Sequence, residues 1–158
     1  MSKVVCPGSF DPITFGHLDI IERASKLFDE VVIAVLVNKT KTTLFSVDER
    51  IEMIKEVTKK FKNVSVDSWS GLLVEYCANN SISMIVKGLR AVSDFDYELQ
   101  MSQINLQLKG IETIFMSTSP VHSFLSSSLV KEIANYGGDV SNYVPAEILS
   151  RVKTRLAR

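Results

Sequence analysis

An unbroken run of seven apolar residues, 31–37, constrains the fold most. A strand with one buried face alternates apolar and polar residues, whereas a strand of a parallel sheet is covered on both faces and is apolar throughout. The run is also far shorter than the ~20 apolar residues that a membrane-spanning helix needs. The sequence therefore predicts a strand buried in a parallel sheet, and no membrane partner.

Four other short apolar segments alternate with helical patterns along the chain. Ser46 and Glu49 have the S-x-x-E spacing of a capping box and begin one of these helices. Strands that alternate with helices through five cycles indicate an α/β domain. We therefore expect a single domain over residues 1–158, with a five-stranded parallel sheet and helices on both faces. The predicted strands are residues 3–6, 31–37, 64–66, 84–86 and 111–116.

Residues 7–17 join the first predicted strand to the first helix. Pro7 and Gly8 end the strand, because proline has no amide hydrogen and glycine tolerates positive φ. The apolar stripe of the helix begins at Ile20, and counting back along it leads to His17. The imidazole is thus expected at a helix N-terminus, where unpaired N–H groups and the helix dipole favour an anion. This segment predicts a phosphate-binding turn.

The charge pattern favours a local anion site. Lysine plus arginine balance aspartate plus glutamate at 18 each, so a broad face for nucleic acid is not indicated. Three serines at 126–128 begin a predicted helix and could add hydroxyl donors. Because the carboxyl ends of parallel strands meet at one edge of a sheet, the cations that follow strands should make this edge electropositive. These cations are Lys39, Lys41, Lys87 and Arg90.

Several common sites are missing from the sequence. Neither the dinucleotide pattern G-x-G-x-x-G nor the P-loop pattern occurs. Cys6 and Cys77 are isolated, and with two histidines, His17 and His122, they make no ligand set for a structural zinc. A reducing cytoplasm fits this cysteine usage. No Ser/His/acid or Cys/His set suggests a covalent intermediate.

The longest helical pattern, residues 93–108, carries two apolar stripes. A helix that is apolar on two sides needs two surfaces to cover it. It could lie between the core and loops of its own chain, or form a subunit interface, and the sequence leaves both open. The stripes are Tyr97, Met101, Ile104 and Leu108 on one side, and Phe95, Leu99 and Leu106 on the other.

The four residues Thr14-x-Gly16-His17 resemble the [HT]-x-G-H motif of the nucleotidylyltransferase superfamily. Together with Lys41 and the segments 87–98 and 123–132, the 7–17 stretch is similar to the successive motifs of bacterial phosphopantetheine adenylyltransferases. The resemblance spans essentially the whole chain. It implies a Rossmann-like fold, a homohexamer and an enzyme of coenzyme A biosynthesis. The implied reaction is Mg2+-dependent transfer of AMP from ATP to phosphopantetheine, by direct in-line attack, giving dephospho-coenzyme A and pyrophosphate.

The resemblance also implies roles for individual residues. His17 would stabilise the transition state at the α-phosphate, and Mg2+ would arrive with ATP, without ligands from protein side chains. Phosphopantetheine would bind to Ser9, Lys41, Leu73 and Lys87. ATP would bind to Ser9, Phe10, His17, Gly88, Leu89, Arg90, Glu98, His122, Ser123, Phe124, Leu125, Ser126, Ser127 and Ser128.

Three positions depart from the family pattern. Lys87 stands where arginine is common, which replaces a bidentate fork by a point charge. Ser9 stands where threonine is common, and His122 where tryptophan is often found, so the role of His122 is open. Two other functions also stay open: a cytidylyl- or pyridine-mononucleotide adenylyltransferase, and a non-catalytic module that binds ATP.

Overall fold

Strands and helices alternate along the chain in the computed structural model, which describes residues 1–156. The strands are β1 (Lys3–Gly8), β2 (Glu30–Leu36), β3 (Val64–Trp69), β4 (Met84–Leu89) and β5 (Glu112–Ser117). The helices are α1 (Phe15–Leu27), α2 (Val47–Thr58), α3 (Leu73–Asn79), α4 (Val92–Lys109), α5 (Ser127–Asn135) and α6 (Ala146–Leu156), with a 3-10 turn at Pro120–His122.

The five strands form one parallel sheet in the order β3-β2-β1-β4-β5. The predicted fold class is thereby confirmed. From β1 the chain builds outward through β2 to β3, and then returns to the other side of β1 to add β4 and β5. Ligands of such sheets bind beyond the carboxyl ends of the strands where the order reverses. In this sheet that place lies between the ends of β1 and β4.

Both faces of the sheet are covered, as the apolar run in β2 predicts. Ile33 and Val35 pack into a cluster with residues of α2, α5 and α6. Val32 and Ala34 point to the opposite face and pack with residues of α3. All four side chains are buried, so alternate residues of one strand lie in separate cores.

The two cysteines also lie on opposite faces of the sheet. Cys6, in β1, packs with residues of α1, and Cys77 belongs to α3. Both are buried free thiols. Burial raises the pKa of Cys6 to about 12 and that of Cys77 to about 11, because a thiolate is poorly solvated there.

Helix α4 lies on its own chain without burying any of its described residues. Tyr97, on one apolar stripe, is 64% exposed, and Leu108, further along it, is 54% exposed. Leu106, on the other stripe, is also exposed. The interpretation of this helix as sunk between core and loops of its own chain is therefore wrong.

Several local features differ from the sequence expectations. Strand β1 includes Pro7 and Gly8, which pair with Ala34 and Val35 of β2, so the prediction that this dipeptide ends the strand is wrong. Strand β4 continues to Leu89, beyond the predicted end at residue 86. Strand β3 continues to Trp69, beyond the predicted end at residue 66, because Ser65 and Asp67 lie on its exposed side at the sheet edge. The serine-rich segment before α5 contains the short 3-10 turn. None of the helices in residues 1–156 is both long and apolar enough to cross a membrane.

Candidate active site

A cavity of about 250 Å³ lies at the carboxyl ends of β1 and β4. Its position is the one expected from the reversal of strand order. The polar side chains that line it come from four parts of the chain that are distant in sequence: the β1–α1 turn with the start of α1, the end of β4 with the segment into α4, Thr118 after β5, and the start of α5. The lining includes Phe10, His17, Lys87, Gly88, Arg90, Glu98, Thr118, Ser126 and Ser127.

The β1–α1 turn brings the Phe10 ring against His17. Phe10 has a φ of 49°, in the left-handed region that non-glycine residues seldom adopt, and its side chain is buried. Its ring meets the imidazole of His17 edge to face, with 5.0 Å between centroids. A Cβ atom on Gly8 would lie 3.1 Å from the Phe10 ring, so the ring position depends on a glycine there.

His17 is the third residue of α1 and takes part in its capping box. The Thr14 hydroxyl accepts from the His17 N–H at 3.4 Å, and the Thr14 N–H donates to His17 Nδ1 at 3.0 Å. A ring nitrogen that accepts from an N–H carries no proton, so the proton of neutral His17 is on Nε2. The cap thus leaves Nε2–H as the donor of a ring that lines the cavity.

The imidazole of His17 is held in its neutral form. Burial is the main cause, and the charge of Arg90 adds to it, so that the pKa of His17 falls to about 4. At neutral pH His17 is therefore an uncharged hydrogen-bond donor.

Two buried charged residues that the sequence reasoning did not single out connect the β1–α1 turn with neighbouring segments. The Asp11 carboxylate is 3% exposed and accepts from the backbone N–H groups of Leu44 and Phe45 at 2.8 and 2.9 Å. Arg50 is 2% exposed and donates to the Ser9 carbonyl at 2.8 Å. Arg50 had a detectable signal, because it follows the apolar stripe of α2, where a charge is unexpected.

Lys87 and Glu98 form the wall between this cavity and a second one. Lys87 Nζ lies 3.4 Å from Glu98 Oε1, and both residues line both cavities. The second cavity, of about 280 Å³, is mainly apolar and includes Leu73 and Asn105 in its lining. A ligand that binds in one cavity therefore shares these two charged groups with a ligand in the other.

The start of α5 closes the opposite side of the first cavity. The Ser126 hydroxyl caps the helix by accepting from the Leu129 N–H at 3.1 Å. Ser127 Oγ donates to the Pro12 carbonyl at 2.7 Å. Arg90 reaches the same segment through a 3.1 Å bond from Nη1 to the Leu125 carbonyl. The start of α5 is thus bonded both to the β1–α1 turn and to the segment that follows β4.

Nine of the seventeen expected site residues line one of the two cavities. Leu73 and Lys87 line the second cavity, as stated above. Ser9 and Lys41 are exposed, and neither side chain lines either cavity. His122 stacks on Phe15 at 6.1 Å. The other expected residues outside the lining are Leu89, Ser123, Phe124, Ser128 and Leu125, of which Leu125 belongs to the core.

Comparison with known proteins gives a consistent result. The model of the cytidylyltransferase-like family matches residues 5–133. The phosphopantetheine adenylyltransferase of Frankia casuarinae is 61% identical, with 100% of each chain covered. That of Streptomyces coelicolor is 59% identical over 99% of this chain and 98% of its own. The Plasmodium falciparum nicotinic acid mononucleotide adenylyltransferase shares the fold, with a TM-score of 0.71 at 13% identity over 98% of this chain and 96% of its own. The chain therefore belongs to the cytidylyltransferase-like family and, within it, to the phosphopantetheine adenylyltransferases.

Proposed function

We propose that this enzyme transfers AMP from ATP to phosphopantetheine, which releases pyrophosphate and forms dephospho-coenzyme A. The observation that carries the proposal is the pair of adjoining cavities. The first collects donors for phosphates, including His17, Arg90 and the serines at the start of α5. The second is mainly apolar, with a few polar groups, and suits the arm of the acceptor. Lys87 lies between them, where the two reacting phosphates would meet.

The chemistry needs positioned donors more than it needs a base. The attacking phosphate oxygen of the acceptor is already ionised near neutral pH, so no proton has to be removed. Charge on the oxygens of the α-phosphate is redistributed as the acceptor approaches in line with the departing pyrophosphate. A donor fixed before the reaction stabilises that charge with little reorganisation.

His17 is suited to be this donor. Its Nδ1 lone pair is occupied by the Thr14 N–H, and Nε2 carries the proton, so neither nitrogen is free to attack phosphorus. This state supports direct transfer without an adenylyl-enzyme intermediate.

The cations beside the cavity would offset repulsion between the substrates. Arg90 is fixed by the Leu125 carbonyl and by Asp94, which lies 3.4 Å from its Nε. In the proposal Arg90 binds ATP phosphates, while Lys87 and Lys41 bind the phosphate of the acceptor. Lys41 is in an exposed loop, and we propose that its ammonium group binds the acceptor phosphate when phosphopantetheine is present.

The proposal includes Mg2+, and the donor set fits an ion that arrives with the nucleotide. In residues 1–156 no three His, Cys, Asp or Glu side chains are grouped as a metal site. Glu98 lines the cavity but is paired with Lys87. Mg2+ prefers phosphate oxygens and keeps several waters, so ATP can hold it without a protein cage. When bound, the ion would neutralise part of the charge on the phosphates.

Pyrophosphate release tests the proposed function directly. ATP, phosphopantetheine and Mg2+ should give pyrophosphate and dephospho-coenzyme A, and omission of phosphopantetheine should abolish both. Parallel reactions would replace ATP by CTP, or phosphopantetheine by glycerol phosphate or nicotinate mononucleotide. No pyrophosphate from the first mixture, together with turnover in one of the others, would refute the proposal.

We also propose that the enzyme is a homohexamer and works in the cytoplasm. The exposed apolar stripes of α4 support assembly, and the two free cysteines fit a reducing compartment. Light scattering at micromolar concentration should show a species several times the 17.6 kDa chain mass. Leu99→Lys, on an exposed position of α4, should reduce that mass, whereas a wild-type species of one chain mass would refute the assembly.

A further inference from the structure

Asp11 joins three segments of the site through one buried carboxylate. It belongs to the β1–α1 turn. Its oxygens accept from the N–H groups of Leu44 and Phe45, which end the loop between β2 and α2. Lys131, in α5, completes the set with Nζ at 3.1 Å from Oδ2. One side chain therefore links the turn of His17, the loop of Lys41 and the helix that begins at the serines.

The turn itself is fixed independently of this carboxylate. Arg50 holds the Ser9 carbonyl at 2.8 Å, and Ser127 holds the Pro12 carbonyl at 2.7 Å. Thr14 is tied to His17 by the capping box. The turn thus provides a rigid base, from which the Asp11 side chain reaches the neighbouring loop.

The loop that Asp11 holds carries Lys41, three residues before Leu44. Lys41 is exposed, whereas Phe45 is buried. The two N–H bonds to Asp11 therefore mark the point where the exposed part of the loop becomes fixed to the core. A side chain that cannot accept both bonds would leave a buried N–H unpaired, which is costly, and the loop would move to find a partner.

We propose that Asp11 is a positioning residue, which sets the place of Lys41 relative to His17 and thereby the place of the acceptor phosphate relative to the α-phosphate of ATP. This inference rests on the proposed function, because it takes Lys41 as a ligand of that phosphate. A merely structural Asp11 would affect folding and all kinetic constants together. A positioning Asp11 affects the constants that depend on Lys41.

A double-mutant cycle separates these two roles. Asparagine has the shape of aspartate but accepts through one oxygen, so Asp11→Asn loses at least one of the two N–H bonds. It should raise the KM for phosphopantetheine by about 10-fold or more, since hydrogen bonds to charged groups are strong, and leave the KM for ATP nearly unchanged. Lys41→Ala should raise the KM for phosphopantetheine strongly in the wild type and little in the Asp11→Asn background.

The matched control is Asp67→Asn, outside the site. Asp67 accepts from the Tyr76 hydroxyl at 2.8 Å through one oxygen and from the Ser68 N–H at 2.8 Å through the other, so asparagine at this position also loses at least one hydrogen bond. Both KM values should stay at the wild-type level in this variant. Thermal unfolding of every variant shows whether the changes in KM exceed those caused by lost stability.

Asp11→Asn leaves the ammonium of Lys131 without its partner, and this could prevent folding. In that case the cycle is repeated in a Lys131→Met background. The Lys131→Met variant then takes the place of the wild type, and the double variant Asp11→Asn/Lys131→Met takes the place of Asp11→Asn. Additive effects of Asp11 and Lys41, equal increases in both KM values, or loss of the fold in both backgrounds would overturn the positioning role. Absence of product with the wild-type enzyme would instead refute the proposed function, so the two failures are distinguishable.

Discussion

Replacing His17 by alanine should have two separate effects, one on stability and one on turnover, because Nδ1 belongs to the helix cap and Nε2–H to the cavity. The lost bond from the Thr14 N–H to Nδ1 removes half of the capping box of α1. We expect this to lower the free energy of unfolding by about 1 kcal/mol. The lost Nε2–H donor should raise the barrier for AMP transfer by about 2.7 to 4 kcal/mol, which is a ~100- to 1000-fold lower kcat.

His17→Gln is the matched control for this experiment. Glutamine is a natural third residue of a capping box, where its side-chain oxygen accepts from the N-cap N–H. The variant should therefore regain the stability lost by His17→Ala. Its turnover should remain below that of the wild type, because a flexible amide does not hold its donor where the capped imidazole holds Nε2.

The assay combines three measurements on the wild type and both variants: kcat from coupled pyrophosphate release, ATP affinity from calorimetry, and stability from urea unfolding. Acid quenching with ATP labelled at the α-phosphate tests for an adenylyl-enzyme. Wild-type kcat in His17→Ala would refute the donor role. A labelled protein that disappears in His17→Ala would refute direct transfer.

Three further predictions follow from the same geometry. Lys87→Ala should weaken the binding of phosphopantetheine by roughly 10- to 100-fold, as expected for a lost charged contact, and the binding of ATP less, whereas Lys87→Arg should remain active. A larger loss of ATP affinity in calorimetric titrations would reverse the assignment of Lys87 to the acceptor. Gly8→Ala should lower kcat at nearly unchanged circular dichroism, because its Cβ would displace the Phe10 ring that packs on His17; unchanged kcat would show that the ring position is irrelevant. Between its ordinary value of 6.5 and the lowered pKa of about 4, His17 binds fewer protons folded than unfolded, so the wild type should lose stability as the pH falls through this range. From pH 7 to pH 5 that loss should exceed the loss of His17→Gln by up to about 2 kcal/mol in urea unfolding, and equal losses would contradict the lowered pKa.

The sequence predicted the sheet because the relevant signals are local. The apolar run in β2 reports a strand with two covered faces, and the helical stripes report which side of each helix is buried. The end of β3 was predicted poorly, since Asp67 and its polar neighbours are not typical of strands and are tolerated at an exposed edge. For α4 the sequence could not predict whether its apolar stripes pack within the chain or against another subunit, and in the structure both stripes are unburied.

The site was predictable where its residues lie at strand ends or helix starts. His17, Arg90 and Ser127 were found in this way, because parallel topology brings such positions to one edge. Asp11 was not found, because its role depends on contact with Phe45, 34 residues away. The tautomer of His17 also required coordinates, since it depends on the distance between one N–H and one ring nitrogen.

The buried cysteines provide the chain with two internal reporters of unfolding. A thiolate is the species that reacts with alkylating reagents, and the pKa values of about 12 for Cys6 and about 11 for Cys77 keep its population small in the folded state. Labelling at pH 8 should therefore be slow in the folded state and faster once the structure opens, and a ligand in the first cavity, which Cys6 lines, keeps direct access to this thiol closed. Cys6 reports the layer that contains α1, and Cys77 the layer that contains α3. Equal labelling rates would indicate that the two layers open as one cooperative unit, whereas a faster rate at one cysteine would identify the layer that opens first.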